Sequence, residues 1–354
     1  MSITDIFKFE DKKERFNFVY KRVNKRKILN TISSVIAQKF GIFIGEIQPI
    51  DIQLETVRGC NFRCIMCDAW KVKKTSFLSF EESKKILSQF SNSIFLAPYG
   101  IGEPFLNRDI YDIVKYASFS LKFIVGITSN FSVIDPQKAI NMGANEIMAS
   151  IDSLNPEKFF LLRKGNLDRV IENLKTILSL KQKNCQKFPI ISIRTLISKE
   201  NIDELENIVE FGLSIGVKKF YFQDSADGYL VRKISRLSLE DIDKVIQLKR
   251  SFKNKANIII YLWDSKAKGS LPKGYCFNAF FIAPIGYDGE LYTCCRYFGN
   301  KEASLGNILK DPQRALKNRL SSSKSSEAIP QISVKIVKPI VECATKTGKR
   351  KIKQ

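Results

Sequence analysis

Apolar and polar positions between residues 50 and 263 follow a repeating order. Short apolar, β-branched runs are each followed by a polar loop and then by a segment of helical period. The runs lie at 50–57, 93–99, 121–128, 145–151, 188–197, 217–223 and 257–263, with helices near 79, 109–119, 135, 166–183, 201–214 and 238–252. Because no hairpin signal interrupts them, they predict a parallel sheet covered by helices. A full or partial TIM-like barrel and an open doubly wound sheet both fit this pattern.

Two of the predicted helices begin with recognisable capping signals. Ser79 and Glu82 form an S-x-x-E capping box, in which each side chain satisfies a free N–H of the other residue. Asp135 supplies a capping carboxylate, and Pro136 fits the first turn of the helix that follows. These signals place two helix starts within one or two residues.

The pattern changes after Gly269. Two short apolar runs flank Tyr287, Asp288 and Gly289, a turn signal typical of an antiparallel hairpin, and the chain becomes Ser-rich and aperiodic from residue 321. The predicted organisation is therefore a basic N-terminal segment, a βα domain, a small module and a flexible basic tail, spanning 1–49, 50–268, 269–320 and 321–354 respectively.

Composition indicates a folded, water-soluble chain. It has 354 residues, 44% of them hydrophobic and 27% charged, with a mean hydropathy of −0.13. No run approaches about 18 consecutive apolar residues, the length of a membrane span. The first residues also lack the basic start, apolar run and small-residue cleavage site of a secretory signal. We therefore expect a cytoplasmic protein with no membrane span.

The absence of histidine and the presence of eight cysteines narrow the chemistry. Without His the chain has no Ser-His-Asp triad, no HExxH zinc site and no imidazole for proton transfer near neutral pH. In a reducing compartment the cysteines favour metal ligation over disulfides.

Net charge is +22, from 58 basic and 36 acidic side chains, and residues 11–28 hold eight basic against two acidic ones. Such a field attracts phosphorylated metabolites, nucleic acid or anionic lipid. A general bias of the chain towards Lys and Asn explains the same charge equally well. The basic ends are therefore either solvated arms or surfaces that contact an anion.

Three cysteines form a compact group directly after the first predicted strand. Cys60, Cys64 and Cys67 lie within eight residues and can ligate three irons of a 4Fe-4S cube, leaving the fourth iron open to N and O donors. A structural zinc ion needs four ligands, so the zinc alternative requires a distant Cys to join.

The C-x3-C-x2-C run in RGCNFRCIMCDAW resembles the signature of the radical S-adenosylmethionine (SAM) superfamily, with Met66 where an aromatic residue is common. The resemblance implies a partial (βα)6 TIM-like barrel, a catalytic 4Fe-4S cluster and SAM chelated at its unique iron. It also implies an electron donor such as flavodoxin or ferredoxin. In this family SAM is cleaved to a 5′-deoxyadenosyl radical that abstracts a hydrogen from substrate, while the protein supplies binding and orientation.

Further segments extend the resemblance to the residues that position SAM. Gly100, Gly102 and Glu103 are similar to the family's glycine-glutamate segment, in which the carboxylate holds the methionine amino group. Ser150 and Asp152 are similar to the segment near the ribose, although capping of the next turn explains them equally well. In this family, arginines pair with the methionine carboxylate or with the substrate. Arg163 and Arg194 both resemble such arginines, and Arg194 is favoured because a guanidinium on an apolar strand needs an anion.

A second cysteine group resembles the auxiliary-cluster module called SPASM, or its shorter relative twitch. Its members are Cys276, Cys294, Cys295 and Cys343, and the later CxxC pairs of the family are missing. We therefore predict one auxiliary iron-sulfur cluster. Because neighbours on a strand point to opposite faces, Cys294 and Cys295 share a cluster only across a bulge or turn. Cys185 has no partner nearby in sequence and is interpreted as incidental.

The expected function is thus a radical SAM enzyme that abstracts hydrogen from a small anionic or carbohydrate-type substrate. An RNA- or peptide-modifying enzyme of the same superfamily is an alternative, with nucleic acid as a possible but less favoured partner. A non-enzymatic zinc-binding scaffold is the third hypothesis.

Overall fold

The computed structural model describes residues 22–40, 42, 45, 47–224, 234–262, 281–294 and 297–324, with the side chains of 38, 39 and 322–324 outside the description. Its larger sheet has ten strands, and a second sheet consists of two short antiparallel strands. In chain order the twelve strands are β1 (Asp51–Leu54), β2 (Val57–Arg58), β3 (Ser76–Phe77), β4 (Phe95–Pro98), β5 (Ile124–Ser129), β6 (Glu146–Ser150), β7 (Ile190–Ile197), β8 (Lys219–Asp224), β9 (Asn257–Tyr261), β10 (Ile282–Ile285), β11 (Glu290–Tyr292) and β12 (Ser304–Asn307).

Nine α-helices lie within the described residues. They are α1 (Lys25–Phe40), α2 (Phe80–Ser88), α3 (Ile110–Lys115), α4 (Pro136–Asn141), α5 (Pro156–Arg163), α6 (Leu167–Lys183), α7 (Leu205–Ser214), α8 (Leu239–Ser251) and α9 (Pro312–Lys324). Both predicted caps are present: Ser79 and Glu82 form the capping box of α2, and Asp135 accepts a hydrogen bond from Lys138 N at the start of α4. The sequence prediction of these two helix starts is confirmed.

The order of the strands decides between a barrel and a doubly wound sheet. The large sheet runs β12-β11-β10-β1-β4-β5-β6-β7-β8-β9, and all pairs from β10–β1 to β8–β9 are parallel. From β1 to β9 the large sheet keeps chain order without a reversal, so successive right-handed crossovers place their helices on one face. A doubly wound sheet would instead reverse its order at a switch point. Strands β1 and β4–β8 are therefore the six strands of the predicted partial barrel, with β9 and β10 added at its sides.

The two faces of this sheet differ in chemistry. The face that packs against the helices carries the main apolar core, which includes Ile147, Ile193 and Phe220. On the opposite, inner face Glu146 accepts hydrogen bonds from Ser192 Oγ at 2.7 Å and Lys219 Nζ at 2.8 Å. Such a buried ion pair is stable here because hydrogen bonds satisfy both oxygens of the carboxylate. The pair of Glu146 and Lys219 lies at the N-terminal ends of β6 and β8.

The C-terminal hairpin is present but is not structurally separate from the barrel. Strands β10 and β11 are antiparallel, with Gly289 at φ +82° in the turn, as the Tyr287-Asp288-Gly289 signal predicts. However, β10 pairs in parallel with β1, so the hairpin extends the barrel sheet. The boundary predicted between residues 268 and 269 falls outside the described residues, and α9 continues to Lys324, past the boundary predicted at 321.

Helix α5 is the main element that the sequence pattern does not predict. Its start has clear signals, because Asn155 caps it by accepting from Lys158 N and Pro156 occupies the first turn. Its four consecutive apolar residues conceal the helical period: Phe159 and Leu162 are buried, whereas Phe160 and Leu161 are 54% and 60% exposed. Within the described residues, no helix combines the length and apolar character needed to cross a bilayer.

Candidate active site

The cysteine loop follows β1 and β2, at the carboxyl end of the parallel strands. Backbone hydrogen bonds join it to the loop that follows β4: Gly59 N donates to Ile101 O at 2.8 Å, and Glu103 N donates to Gly59 O at 3.1 Å. Loops at this end of neighbouring parallel strands meet at one edge of the sheet. The structure therefore brings the three thiols and Glu103 into one region.

Two glycines allow this close approach between loops. A Cβ atom on Gly102 would lie 2.4 Å from Val57 O and 2.7 Å from Gly59 O, and one on Gly100 would lie 2.4 Å from Glu55 Cγ. The neighbours that occupy this space are the chain's own backbone and the buried side chain of Glu55. The glycines fix the position of the cysteine loop.

We expect Gly102→Ala to destabilise the protein by about 1–3 kcal/mol, the usual cost of overpacking, because the two backbone carbonyls cannot move independently of the loops. It should also lower the iron content after anaerobic reconstitution. The matched control is Gly216→Ala, where φ is +94° but nothing lies within 4 Å of the new Cβ. Urea denaturation of both variants compares the cost of a steric clash, in Gly102→Ala, with the cost of backbone strain alone, in Gly216→Ala. A smaller loss for Gly102→Ala than for the control would contradict this explanation.

The sulfur atoms of the loop receive hydrogen bonds from the protein. Phe62 N donates to Cys60 Sγ and Ala69 N donates to Cys67 Sγ, both at 3.4 Å, and Asn130 Nδ2 donates to Cys60 Sγ at 3.9 Å. Burial raises the pKa of the Cys60 thiol to about 12 and that of Cys64 to about 11. Thiolates form here only when a positively charged group compensates for the lost hydration, and metal binding does so by displacing the protons.

Glu103 is buried, and its loop is hydrogen-bonded to the cysteine loop. Its carboxylate accepts hydrogen bonds from Ser129 Oγ and Asn130 N, both at 2.7 Å, and from Phe105 N at 3.2 Å. Burial raises the pKa of Glu103 to about 6, and these three donors partly oppose that shift. A carboxylate has about four acceptor positions, so one remains for a further donor.

Asp152 and Arg163 form a buried ion pair next to the loop. Arg163 Nε lies 2.7 Å from Asp152 Oδ2, and the side chains are 12% and 0% exposed. Burial opposes the charge of Arg163, but Asp152 and the nearby Cys64 outweigh it and raise the pKa of Arg163 above its usual value. Asp152 therefore orients the guanidinium of Arg163 through this contact at Nε.

Helix α5 connects this ion pair to the thiols. Ile65 N in the cysteine loop donates to Leu162 O at 2.9 Å, and the rings of Phe62 and Phe159 pack edge to face with centroids 6.3 Å apart. Arg163 is the last residue of α5. The unpredicted helix is thus the element that positions the cysteine loop against Arg163.

Ser150 and Arg194 lie side by side on the inner face, paired in register between β6 and β7. The guanidinium of Arg194 donates to Gln223 Oε1, and to Thr128 Oγ1 at 3.4 Å. Both partners are neutral. Arg194 therefore has an orientation fixed by the barrel and a positive charge that these two contacts leave unneutralised.

A separate contact, which no sequence signal predicts, links the cysteine loop to the C-terminal hairpin. Glu55 is fully buried and pairs with Arg58 Nη2 at 2.6 Å, while its carboxylate also accepts from Ile101 N at 2.9 Å. Arg58 lies over the Tyr287 ring, 4.8 Å from its centroid. One carboxylate and one guanidinium thus connect three loops at this end of the barrel.

Of the second cysteine group, only Cys294 is among the described residues, and it is buried at 6% exposure just after β11. Cys276, Cys295 and Cys343 lie outside them. Cys185 is exposed, beyond the end of α6. The structure therefore leaves the predicted auxiliary ligands as predictions.

The donor set fits an iron-sulfur cube better than a single zinc ion. The cysteine loop supplies three thiols, one ligand fewer than a structural zinc ion needs. A zinc ion requires its sulfurs at about 2.3 Å from one point. A cube distributes three thiolates over three irons, and N–H donors to the sulfurs, as at Cys60 and Cys67, are typical of such clusters.

Comparison with known proteins agrees with this geometry. Residues 54–212 match the model of the Radical SAM superfamily. A probable GTP 3′,8-cyclase of Methanocaldococcus jannaschii is 24% identical over 270 residues, which cover 72% of this chain and 86% of that protein.

Solved structures share the fold. The structure of Streptococcus suis SuiB bound to S-adenosylmethionine has a TM-score of 0.62 and 16% identity over 88% of this chain and 72% of that one. SuiB bound to its precursor peptide SuiA has a TM-score of 0.64 and 14% identity over 95% and 77% of the two chains. The matching domain model and the shared partial barrel show that residues 54–212 of this chain form a radical SAM domain, and the relatives in sequence are enzymes.

Proposed function

We propose that Cys60, Cys64 and Cys67 ligate the catalytic 4Fe-4S cluster of a SAM-cleaving enzyme, and that Glu103, Arg163, Ser150 and Arg194 position SAM and substrate around it. The observation that carries this proposal is the pair of backbone hydrogen bonds at Gly59, which holds the thiol loop against the Glu103 loop. Without that contact, the two motifs would be separate features of the sequence. With it, three sulfur ligands and a buried carboxylate face one region.

Each of these side chains would have a separate role in binding SAM. The remaining acceptor position of Glu103 suits an ammonium group, and the guanidinium of Arg163, held at Nε by Asp152, suits a carboxylate. Asn130 couples the two halves of the site, because its N–H binds Glu103 and its amide binds Asn61 Oδ1 at 2.9 Å. Asp152 acts as a positioning residue through Arg163 rather than by touching the ribose.

When bound, the cluster would supply the electron that cleaves SAM into methionine and a 5′-deoxyadenosyl radical. The decisive experiment is anaerobic reconstitution, followed by addition of SAM and a strong reductant. We expect 5′-deoxyadenosine to form. A colourless, zinc-containing preparation that forms none would favour the scaffold alternative and reject this function.

For the substrate, we propose a small anionic or carbohydrate-type molecule. Arg194 supports an anion, because its guanidinium is held on the inner face by the neutral acceptors Gln223 and Thr128. The GTP 3′,8-cyclases in sequence and SuiB in structure are relatives whose names indicate a nucleotide and a peptide. An RNA-modifying enzyme remains the second candidate, favoured by the net charge of +22, and it predicts RNA binding that weakens steeply with salt.

We further propose one auxiliary iron-sulfur cluster in the C-terminal module, with ligands drawn from Cys276, Cys294, Cys295 and Cys343. Cys294 supports this location, because it follows β11 in the hairpin that Glu55 and Arg58 connect to the cysteine loop. An electron donor such as flavodoxin or ferredoxin would reduce the clusters.

Cys294→Ala should lower the iron content of reconstituted protein from about eight to about four per chain, because one of two cubes is lost. The Cys343→Ala variant tests whether the tail supplies a ligand in the same way. Cys185→Ala is the control, as this thiol is exposed and distant in sequence from both groups. An iron content of about four in the unmodified protein would reject the auxiliary cluster while leaving the catalytic one intact.

A further inference from the structure

Helix α1 has the reverse of the usual amphipathic arrangement. The positions it buries against the barrel are polar or small: Lys27, Asn30, Ser34 and Ala37. Its apolar side chains face outward and form a continuous strip, here called the apolar stripe. The stripe consists of Ile28, Leu29, Ile32, Val35 and Phe40, which are 47%, 63%, 49%, 36% and 69% exposed.

Hydrogen bonds fix the helix in this orientation. Lys27 Nζ donates to Leu121 O at 2.9 Å, and Asn30 both donates to Gln48 O at 3.1 Å and accepts from Gln48 N at 2.9 Å. Rotating α1 to bury the stripe would leave these polar groups unsatisfied, at a cost comparable to the apolar burial gained. The exposure of the stripe is therefore a consequence of a specific buried face, and contiguous exposed apolar surface of this kind marks an interaction site.

The stripe lies at the end of the barrel opposite the candidate active site. Ala37 packs in a small core with Ile50, Phe95, Ile124 and Phe281. These residues lie at, or directly before, the first residues of β1, β4, β5 and β10, whereas the thiols and Glu103 follow the last residues of the strands. A surface bound at α1 would leave the mouth of the barrel accessible.

We propose that the apolar stripe docks on an anionic lipid bilayer. The charge around it selects this occupant: Lys25 and Arg26 are exposed at the start of α1, and the preceding residues 11–21 hold four basic and two acidic side chains. Interfacial helices combine an apolar face with flanking Lys and Arg that contact anionic headgroups. The preceding segment 11–21 and a second copy of this chain both bring more positive charge, so electrostatic complementarity disfavours them.

The test is co-sedimentation of the full-length, reconstituted protein with vesicles of phosphatidylglycerol or phosphatidylcholine. We expect at least about tenfold tighter binding to phosphatidylglycerol, decreasing with added salt, because each basic residue near an anionic surface contributes. The double variant Leu29→Glu/Ile32→Glu should bind at least about tenfold more weakly, since two apolar side chains no longer enter the interface. Lys25→Glu/Arg26→Glu should lose the lipid preference.

Leu239→Glu is the matched control, because Leu239 is 66% exposed at the start of α8 and outside the stripe, and it should bind as the unmodified protein does. Equal binding by the stripe variant, or none by the unmodified protein, would overturn the proposal. Binding that appears only after deletion of residues 1–21 would also overturn it, since that segment would then cover the stripe. So would a dimer that the stripe variant converts to a monomer.

Discussion

Replacing Cys60, Cys64 and Cys67 together with alanine should abolish both iron binding at the catalytic site and formation of 5′-deoxyadenosine. The physical reason is that the three thiolates both neutralise the charge of the cluster and anchor it to the loop. Iron and sulfide per chain should fall by about four each, and reductive SAM cleavage should fall to the level of an assay without protein.

The matched variant Cys185→Ala controls for the loss of a thiol as such. Cys185 is exposed beyond the end of α6, away from the hydrogen-bonded loops of the site. It should retain full iron content and SAM cleavage. If the triple variant still released 5′-deoxyadenosine, the catalytic cluster would have to be held elsewhere, and the proposed function of this loop would be wrong.

Arg163→Met should destabilise the protein by about 3–5 kcal/mol, because it leaves the Asp152 carboxylate buried without its cation. Asp152 is fully buried: its Oδ1 accepts a hydrogen bond from Leu196 N at 2.8 Å, and its Oδ2 lies 2.7 Å from Arg163 Nε. The double variant Asp152→Leu/Arg163→Met should recover part of the loss, since neither charge then remains in the interior. Anaerobic urea denaturation of the cluster-free protein measures both effects without interference from iron.

The control for this ion pair is Arg169→Met. Arg169 pairs with Glu172 at 2.9 Å on the surface of α6, and the side chains are 55% and 65% exposed. Solvent screening limits such pairs to about 0–1 kcal/mol, so this variant should unfold at nearly the same urea concentration as the unmodified protein. If Arg163→Met and Arg169→Met lowered the free energy of unfolding by similar amounts, the buried pair of Asp152 and Arg163 would not stabilise the fold as expected.

The local signals of the sequence predicted individual elements well where a single residue type decides the geometry. The capping box at Ser79 and the hairpin turn at Gly289 are both present as predicted. Helix α5 was missed because the adjacent apolar residues 159–162 give no helical period, and two of them face solvent. Periodicity reports burial, so it fails where an apolar side chain is exposed.

The same limit applies to α1, and there it has functional consequences. From sequence alone the apolar positions of α1 would be assigned to the core and Lys27 to solvent. In the structure Lys27 is 2% exposed, and Leu29 is 63% exposed. Lys27 is held in this position because its Nζ donates hydrogen bonds to Leu121 O at 2.9 Å and to Lys122 O at 3.4 Å.

Strand and helix periods are local properties, so they predict the class of the fold without a structure, and the cysteine spacing likewise predicts the thiol loop as a cluster site. Which carboxylates and guanidinium groups meet was decided only by tertiary structure. Glu55 with Arg58 is a pair close in sequence, but its contact with the Tyr287 turn, and the contact of Gly59 with the Glu103 loop, join segments far apart in the chain. Such contacts depend on strand order and register, which no local pattern encodes.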